Sequence, residues 1–412
     1  MNIKTGSMRW ALCVLPSLTY QVGAFEGQLH GTIEISAHER SAQTSWTNGG
    51  WGVSRFGAKS DMLNLSRAAL KGRLELSTDW SGHAVAQYAP DPNHKLGFTE
   101  AYLSYQPLAK RYQFRSRIGA FYPRMSLENQ AFAWSSPYSY QYSALNSWIG
   151  EEVRTFGAEI ELKRPARRFR SRYDVSLLGA IYKGNDPAGT LLVWRGFLPH
   201  GRQSVINERI EFAPLYALMT PQLVHQGQFV EPFSEIDGRF GYYLGIHAQY
   251  LKKHTLRLYW FDNNADPSAL NQKTQQYAWD TQFWSFAWRS KLSKRTQFIM
   301  QAMFGHTAMG EGRGVDTEFN SWFVMLSHAW QGYRFSGRLE QSKVIDKDLS
   351  QFDPNASQTN AVTVNLTKQI SLNWQVGAEW QYLDSYASFR PQVGRDENTY
   401  ESLWRLTAKY QF

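Results

Sequence analysis

The chain has 412 residues, a net charge of +9 and a mean hydropathy of -0.48, and no run approaches the roughly 18 apolar residues that a spanning helix requires. This excludes a helical membrane protein. Aromatic residues are abundant, with 16 Trp, 22 Tyr and 24 Phe, which together with a polar average describes strands whose two faces differ. The densest basic run, residues 163–172, contains Pro165 and reads as a short basic turn, so nucleic acid is not expected as a partner.

Residues 1–24 have the layout of a secretory signal: Lys4 and Arg9, an apolar stretch from Trp10 to Leu18, then the small-residue end Val22, Gly23, Ala24. The mature chain is expected to begin near Phe25. The lone cysteine, Cys13, falls inside this segment, so disulfides and thiolate metal sites are not expected in the mature protein.

From there on the chain alternates. Successive side chains of a strand point to opposite faces, so a period of two marks a strand with one apolar and one wet side. Tyr112, Phe114, Ile118, Ala120 and Tyr122 oppose Gln113, Arg115 and Arg117; Phe240, Tyr242, Leu244, Ile246 and Tyr250 oppose Arg239, His247 and Gln249. Tyr333, Phe335 and Leu339 oppose Arg334, Arg338 and Glu340, and Trp374, Val376, Ala378, Trp380 and Tyr382 oppose Gln375, Glu379 and Gln381. The last residues, Tyr400 to Phe412, repeat the pattern. Similar segments lie near 29–37, 68–78, 83–89, 97–106, 152–162, 172–182, 204–212, 255–261, 280–290, 295–305, 320–330 and 360–368.

Segments of about ten residues suit a tilted strand crossing a bilayer. Their apolar faces are bracketed by rings, as in Tyr112/Tyr122, Trp374/Tyr382 and Tyr400/Phe412, which is what two membrane interfaces favour. Lipid forbids open sheet edges, so the strands must close. The expected fold is an all-β transmembrane antiparallel barrel over residues 25–412, with about 16 strands and 14 or 18 as the neighbouring even counts. Short turns such as 106–111, 163–168, 291–295 and 330–332 alternate with long loops at 38–65, 123–151, 183–203, 262–279, 306–318, 343–358 and 384–399; the long ones are expected outside and the short ones in the periplasm.

No catalytic or nucleotide-binding pattern is complete: residues 310–315 break a glycine-rich loop at Val315, and the calcium-like start at Asp262 fails at Pro267 and Lys273. No enzyme activity, cofactor or metal is expected. The loop 123–151 is far longer than a hairpin needs. Its Trp134, Tyr138, Tyr140, Tyr142 and Trp148 could stack on or bond polar solutes if it folds inward, and would pack on one another if it stays outside. Charges cannot face lipid cheaply, Arg or Lys near the midplane costing roughly 2 to 4 kcal/mol. Arg73, Arg115, Arg117, Arg334 and Arg338 are therefore assigned to the lumen, together with Lys71, Arg172, Arg257, Arg405 and Lys409. Glu34, Glu75, Glu159, Glu161, Asp174, Glu340, Glu379 and Glu401 oppose them, and Glu128 on the long loop is expected opposite Arg115 and Arg117. Either the basic surplus favours anions weakly or the pairs cancel across neighbouring strands.

These features together resemble Gram-negative outer-membrane porins. The stretch from Arg117 to Asn129, with Gly119, Phe121, Pro123, Ser126, Leu127 and Glu128, is similar to a strand-to-loop passage of the phosphate-selective type, although the basic ladder and lysine-bearing loop of those channels are not recognisable. The resemblance implies passive diffusion of small hydrophilic solutes, contact with outer-membrane lipids, reading of the terminal Phe412 by the barrel-assembly machinery, and a homotrimer. The alternative within the same architecture is a closed or plugged barrel that serves binding or adhesion, or a lipid-directed enzyme.

Overall fold

The structure, a computed structural model, describes residues 18–22, 25–39, 41–58, 62–89, 91, 95–109, 111–348 and 350–412. Most of the expected signal, with Cys13, lies outside these residues; Leu18–Val22 forms a short strand paired with Phe25 to Leu29.

Sixteen antiparallel strands close into a barrel. They are β1 (Phe25–His38), β2 (Leu63–Glu75), β3 (Trp80–Ala89), β4 (Lys95–Tyr105), β5 (Gln113–Phe121), β6 (Thr155–Arg164), β7 (Tyr173–Lys183) and β8 (Gly241–Tyr250). They continue with β9 (His254–Asp262), β10 (Asp280–Lys291), β11 (Thr296–Met309), β12 (Val315–Trp330), β13 (Tyr333–Asp346), β14 (Ser357–Gln369), β15 (Trp374–Ala387) and β16 (Asn398–Gln411). Each strand pairs with its neighbours in sequence, and β16 closes on β1 in the register Thr32 opposite Gln411 to His38 opposite Arg405. No edge is left among these strands, which is the condition for crossing lipid.

The outer wall carries leucine and isoleucine: Leu177, Ile181, Leu244, Leu339 and Leu406 are all more than half exposed. Aromatic pairs between adjacent strands frame this band. On the short-turn side are Trp80/Tyr105, Tyr173/Tyr250 and Trp374/Tyr410, each 4.9 Å apart. On the other side are Tyr242/Trp260 at 5.1 Å and Trp380/Trp404 at 6.4 Å. Tyr242 and Tyr250 end the same strand, about 20 Å apart along the barrel axis after allowing for tilt. That approaches the roughly 25 Å apolar band of outer-membrane barrels.

Three sequence expectations are corrected. The strand near 204–212 is no part of the wall: only Ile210–Glu211 pair there, with Phe229–Val230, inside a connection that runs from 184 to 240. This local hairpin mimics the alternation of a wall strand. The loop expected at 306–318 shrinks to 310–314, because β11 and β12 stay in register from Thr296/His328 to Met309/Val315. Tyr122, expected to bracket the lipid face, turns inward and is buried. The turn inward follows Gly119, whose φ of 133° and close approach, with a Cβ placed 2.3 Å from the Ala101 carbonyl oxygen, exclude other residues.

Candidate lumen site

The lumen is occupied by connection 122–154, which contains helix α1 (Ala144–Glu152), and by connection 184–240, which contains the short helix α2 (Thr190–Trp194). Every residue of both helices is buried. A chain segment with this many polar groups can sit inside a barrel only if the wall satisfies them, and the wall supplies partners on nearly every side.

Arg338 on β13 is the principal anchor. Its guanidinium donates to Glu128 at 2.7 Å, Glu340 at 2.8 Å and the carbonyls of Gln141 and Tyr142 at 2.8 and 3.0 Å. Glu128 in turn accepts from Ser143 N at 3.0 Å and Asn146 Nδ2 at 2.8 Å, and Glu340 accepts from Ala144 N at 2.7 Å. Two carboxylates thus meet the first turn of α1, where free N–H groups and the helix dipole favour negative charge. Glu379 on β15 accepts from the backbone N–H groups of Tyr140 and Gln141 at 2.7 and 3.0 Å. Across the barrel, Arg67 on β2 donates to Tyr142 Oη at 2.9 Å and to the Ala133 carbonyl, while Arg257 on β9 donates to the Arg124 and Ser126 carbonyls.

The remaining aromatic candidates are spread along this segment. Trp134 stacks on Tyr122 with centroids 4.5 Å apart and meets Tyr142 edge-on at 5.8 Å. Tyr138 is buried beneath Arg334 at 5.6 Å, and Tyr140 lies 5.2 Å from Arg405. Trp148 is wedged among Phe197, Phe283 and Phe319 at 5.9, 5.4 and 5.6 Å.

Glu128, expected opposite Arg115 and Arg117, faces Arg338 instead. Arg115 and Arg117 are matched in register with Glu161 and Glu159 on β6. Arg117 lies 2.9 Å from Glu159, and Arg124 bridges to Glu159 at 2.7 Å and to Glu161 at 2.9 Å. Arg115 is looser, 3.9 Å from Glu161, with 41% of its side chain exposed. Arg73 pairs with Glu75 at 2.8 Å near the short-turn rim. The half of the lumen toward the short turns remains wet. Arg115, Lys163, Arg289, Gln297, Arg334 and Gln375 are all partly exposed there.

Toward the long loops, Glu151 receives Arg195, His200 at 3.1 Å and Arg202 at 3.0 Å. Burial alone would raise this carboxyl, but the two guanidiniums and the imidazole beside them hold it well below the usual carboxylate range. Glu152 beside it makes no ion pair, and Arg195 acts on it only weakly and through space. Burial pushes it up to about 7, against the donors Trp148 Nε1, Gly189 N and Leu191 N. The sequence reading missed Arg67, because β2 begins at Leu63 rather than 68, though its parity with Lys71 places it on the inner face. It also missed Glu151, Glu152 and Arg202, since nothing local marks a loop acid as buried.

A closed antiparallel barrel with two aromatic girdles and an aliphatic outer band kept free of charges defines an outer-membrane β-barrel. No family model and no curated protein matches the chain. Solved structures do. The outer membrane channel DcaP of Acinetobacter baumannii aligns with a TM-score of 0.58 at 12% identity, over 97% of this chain and 100% of that one. OmpT of Vibrio cholerae, trimer form, aligns with a TM-score of 0.53 at 8% identity, over 95% of this chain and 100% of that one. The anion-selective porin from Comamonas acidovorans aligns with a TM-score of 0.50 at 10% identity, over 94% and 100%. The chain therefore has the sixteen-stranded porin fold.

Proposed function

We propose that this protein is an outer-membrane porin of a Gram-negative bacterium, a channel for passive diffusion of small hydrophilic solutes with a weak preference for anions. The observation that carries this reading is the wet, basic half-lumen. Arg115, Lys163, Arg289 and Arg334 are open to solvent inside a closed barrel, whereas a barrel built only as a scaffold would gain nothing by keeping them there. Cations on the wall raise the local concentration of small anions and set the sign of ion selectivity. Of the candidate residues, Arg73, Arg115 and Arg334 line the open half of the lumen, while Arg117, Glu128, Trp134, Tyr138, Tyr140, Tyr142, Trp148 and Arg338 build or anchor the segment that narrows it. Within it, Arg338 and Glu128 hold connection 122–154 across the bore. The route to the periplasm is export behind a leader ending near residue 24, then insertion directed by Phe412. The trimer form of OmpT makes a homotrimer the assembly to test.

Complete burial of α1 and α2 favours a second reading, a barrel whose closed state is the resting one and which serves binding. Single-channel recording in a planar bilayer separates the two. Discrete steps with an anion-directed reversal potential across a salt gradient support the porin. A silent bilayer, with a heat-modifiable barrel on gels, supports the closed form.

A further inference from the structure

Four neighbouring short turns, 106–112, 165–172, 251–253 and 292–295, carry Lys or Arg and no Asp or Glu, whereas the other three, 76–79, 331–332 and 370–373, carry no Lys or Arg. The basic turns follow one another along one arc of the rim, joining β4 to β5, β6 to β7, β8 to β9 and β10 to β11. Among the described residues, none of their cations forms an ion pair. Like charges gathered on one arc repel one another, and a partner that brings anions relieves this.

The arc has a fixed corner. Phe169 meets the half-exposed Tyr112 with ring centroids 5.0 Å apart, and the guanidiniums of Arg111 and Arg164 lie over the Phe169 ring at 4.7 and 4.4 Å. Arg168 donates to the Ala109 carbonyl and ties the two turns together. Arg164 ends β6 with the same parity as Ile160 and Leu162, which are 54% and 46% exposed on the lipid side. Two guanidiniums are thus held on one ring where acyl chains give way to headgroups.

We infer that this arc binds anionic phospholipid of the periplasmic leaflet, with the phosphodiester of a phosphatidylglycerol-class headgroup on Arg111 and Arg164. A zwitterionic headgroup brings an ammonium or choline group to turns that have no acid to receive it. An acidic soluble protein could meet the turn tips, but it would not cover Arg164 on the lipid-facing wall. The inference rests on the outer-membrane reading, which sets the short turns in the periplasmic leaflet, and is independent of conduction.

The test is electron paramagnetic resonance of spin-labelled phosphatidylglycerol or phosphatidylcholine added to the protein in phosphatidylcholine vesicles, where the immobilised fraction reports lipid at the barrel perimeter. The anionic lipid should associate about threefold more strongly at low salt, and the preference should fall as salt is raised. Arg111→Gln with Arg164→Gln should bring the ratio close to one, while Arg313→Gln with Lys347→Gln at the opposite rim should leave it unchanged. Equal association of the two lipids with the unaltered protein, or the same loss in both double variants, overturns the assignment. Should the first double variant not fold, Lys252→Gln with Lys294→Gln at the exposed turn tips decides: a lower ratio supports the site, and an unchanged one overturns it. Heat-modifiable migration reports insertion separately. A protein that never inserts overturns the outer-membrane reading and this inference with it, whereas one that inserts without preferring the anionic lipid overturns this inference alone.

Discussion

Gly31 and Phe412 close the barrel on each other. Gly31 N donates to the Phe412 carbonyl at 3.0 Å, Phe412 N donates to the Gly31 carbonyl at 3.1 Å, and the Phe412 ring fills the space a Gly31 side chain would take. A Cβ on Gly31 would stand 2.2 Å from Phe412 Cζ. The terminal aromatic is therefore part of the seam, in addition to any role as an insertion signal.

Gly31→Val should prevent this closure. The expected outcome is a sharp loss of the heat-modifiable folded band on gels, partly restored when Phe412→Ala is added, because residues in contact couple where distant ones add. If the double variant folds no better than Gly31→Val alone, the steric account of the seam fails.

Arg338→Met keeps most of the side-chain volume and leaves Glu128 and Glu340 as buried carboxylates without their cation. Breaking one side of a buried pair costs roughly 3–5 kcal/mol. That loss should fall on the docking of connection 122–154 more than on the sheet. Protease access at Arg124 should rise and single-channel conductance should increase, while the heat-modifiable band persists. Unchanged protease access would show that Arg338 does not hold the loop.

Glu152 predicts a pH dependence. Its carboxyl is raised from 4.5 to about 7 when docked between α1 and α2. Below about pH 4.5 docked and undocked states are both protonated, and burial carries no charge penalty. As pH rises toward 7 the undocked carboxyl ionises while the docked one stays neutral, so docking weakens by an amount on the order of 3 kcal/mol once pH exceeds 7. Tryptophan emission reporting Trp148 should shift between pH 5 and 8, and Glu152→Gln should abolish the shift. A shift of equal size in that variant would assign it elsewhere.

Selectivity should follow the wet half of the lumen. Arg115→Gln combined with Arg289→Gln is expected to move the reversal potential toward the cation side, with the difference shrinking as salt is raised because exposed charges are screened. An unaltered potential would place the selective charges at the loop.

The wall was legible in the sequence for a simple reason: its environment changes every second residue, so each of the sixteen strands writes lipid and lumen alternately. The pairs Arg115/Glu161 and Arg117/Glu159 could also have been read, since parity puts all four inside and the hairpin register brings them opposite. The interior of the plug could not. Arg338 meets Glu128 across 210 residues, and Glu379 meets Tyr140 across 239. Nothing near either residue announces the other. Residues 204–212 misled because a two-residue pairing inside a loop obeys the same alternation as a wall strand.

Those long separations also fix an order of events during folding. Connection 122–154 accepts hydrogen bonds from β2, β9 and β13 and donates to β15, strands whose pairing across the ring is complete only when Gly31 meets Phe412. Contacts of such high sequence separation form last, after the loop-closure entropy of the ring has been met. The plug is thus expected to dock on the finished barrel. Because lipid does not tolerate the open edges of an unsealed sheet, variants that slow closure should also delay docking of the constriction, read as protease access at Arg124 that persists until the heat-modifiable band forms.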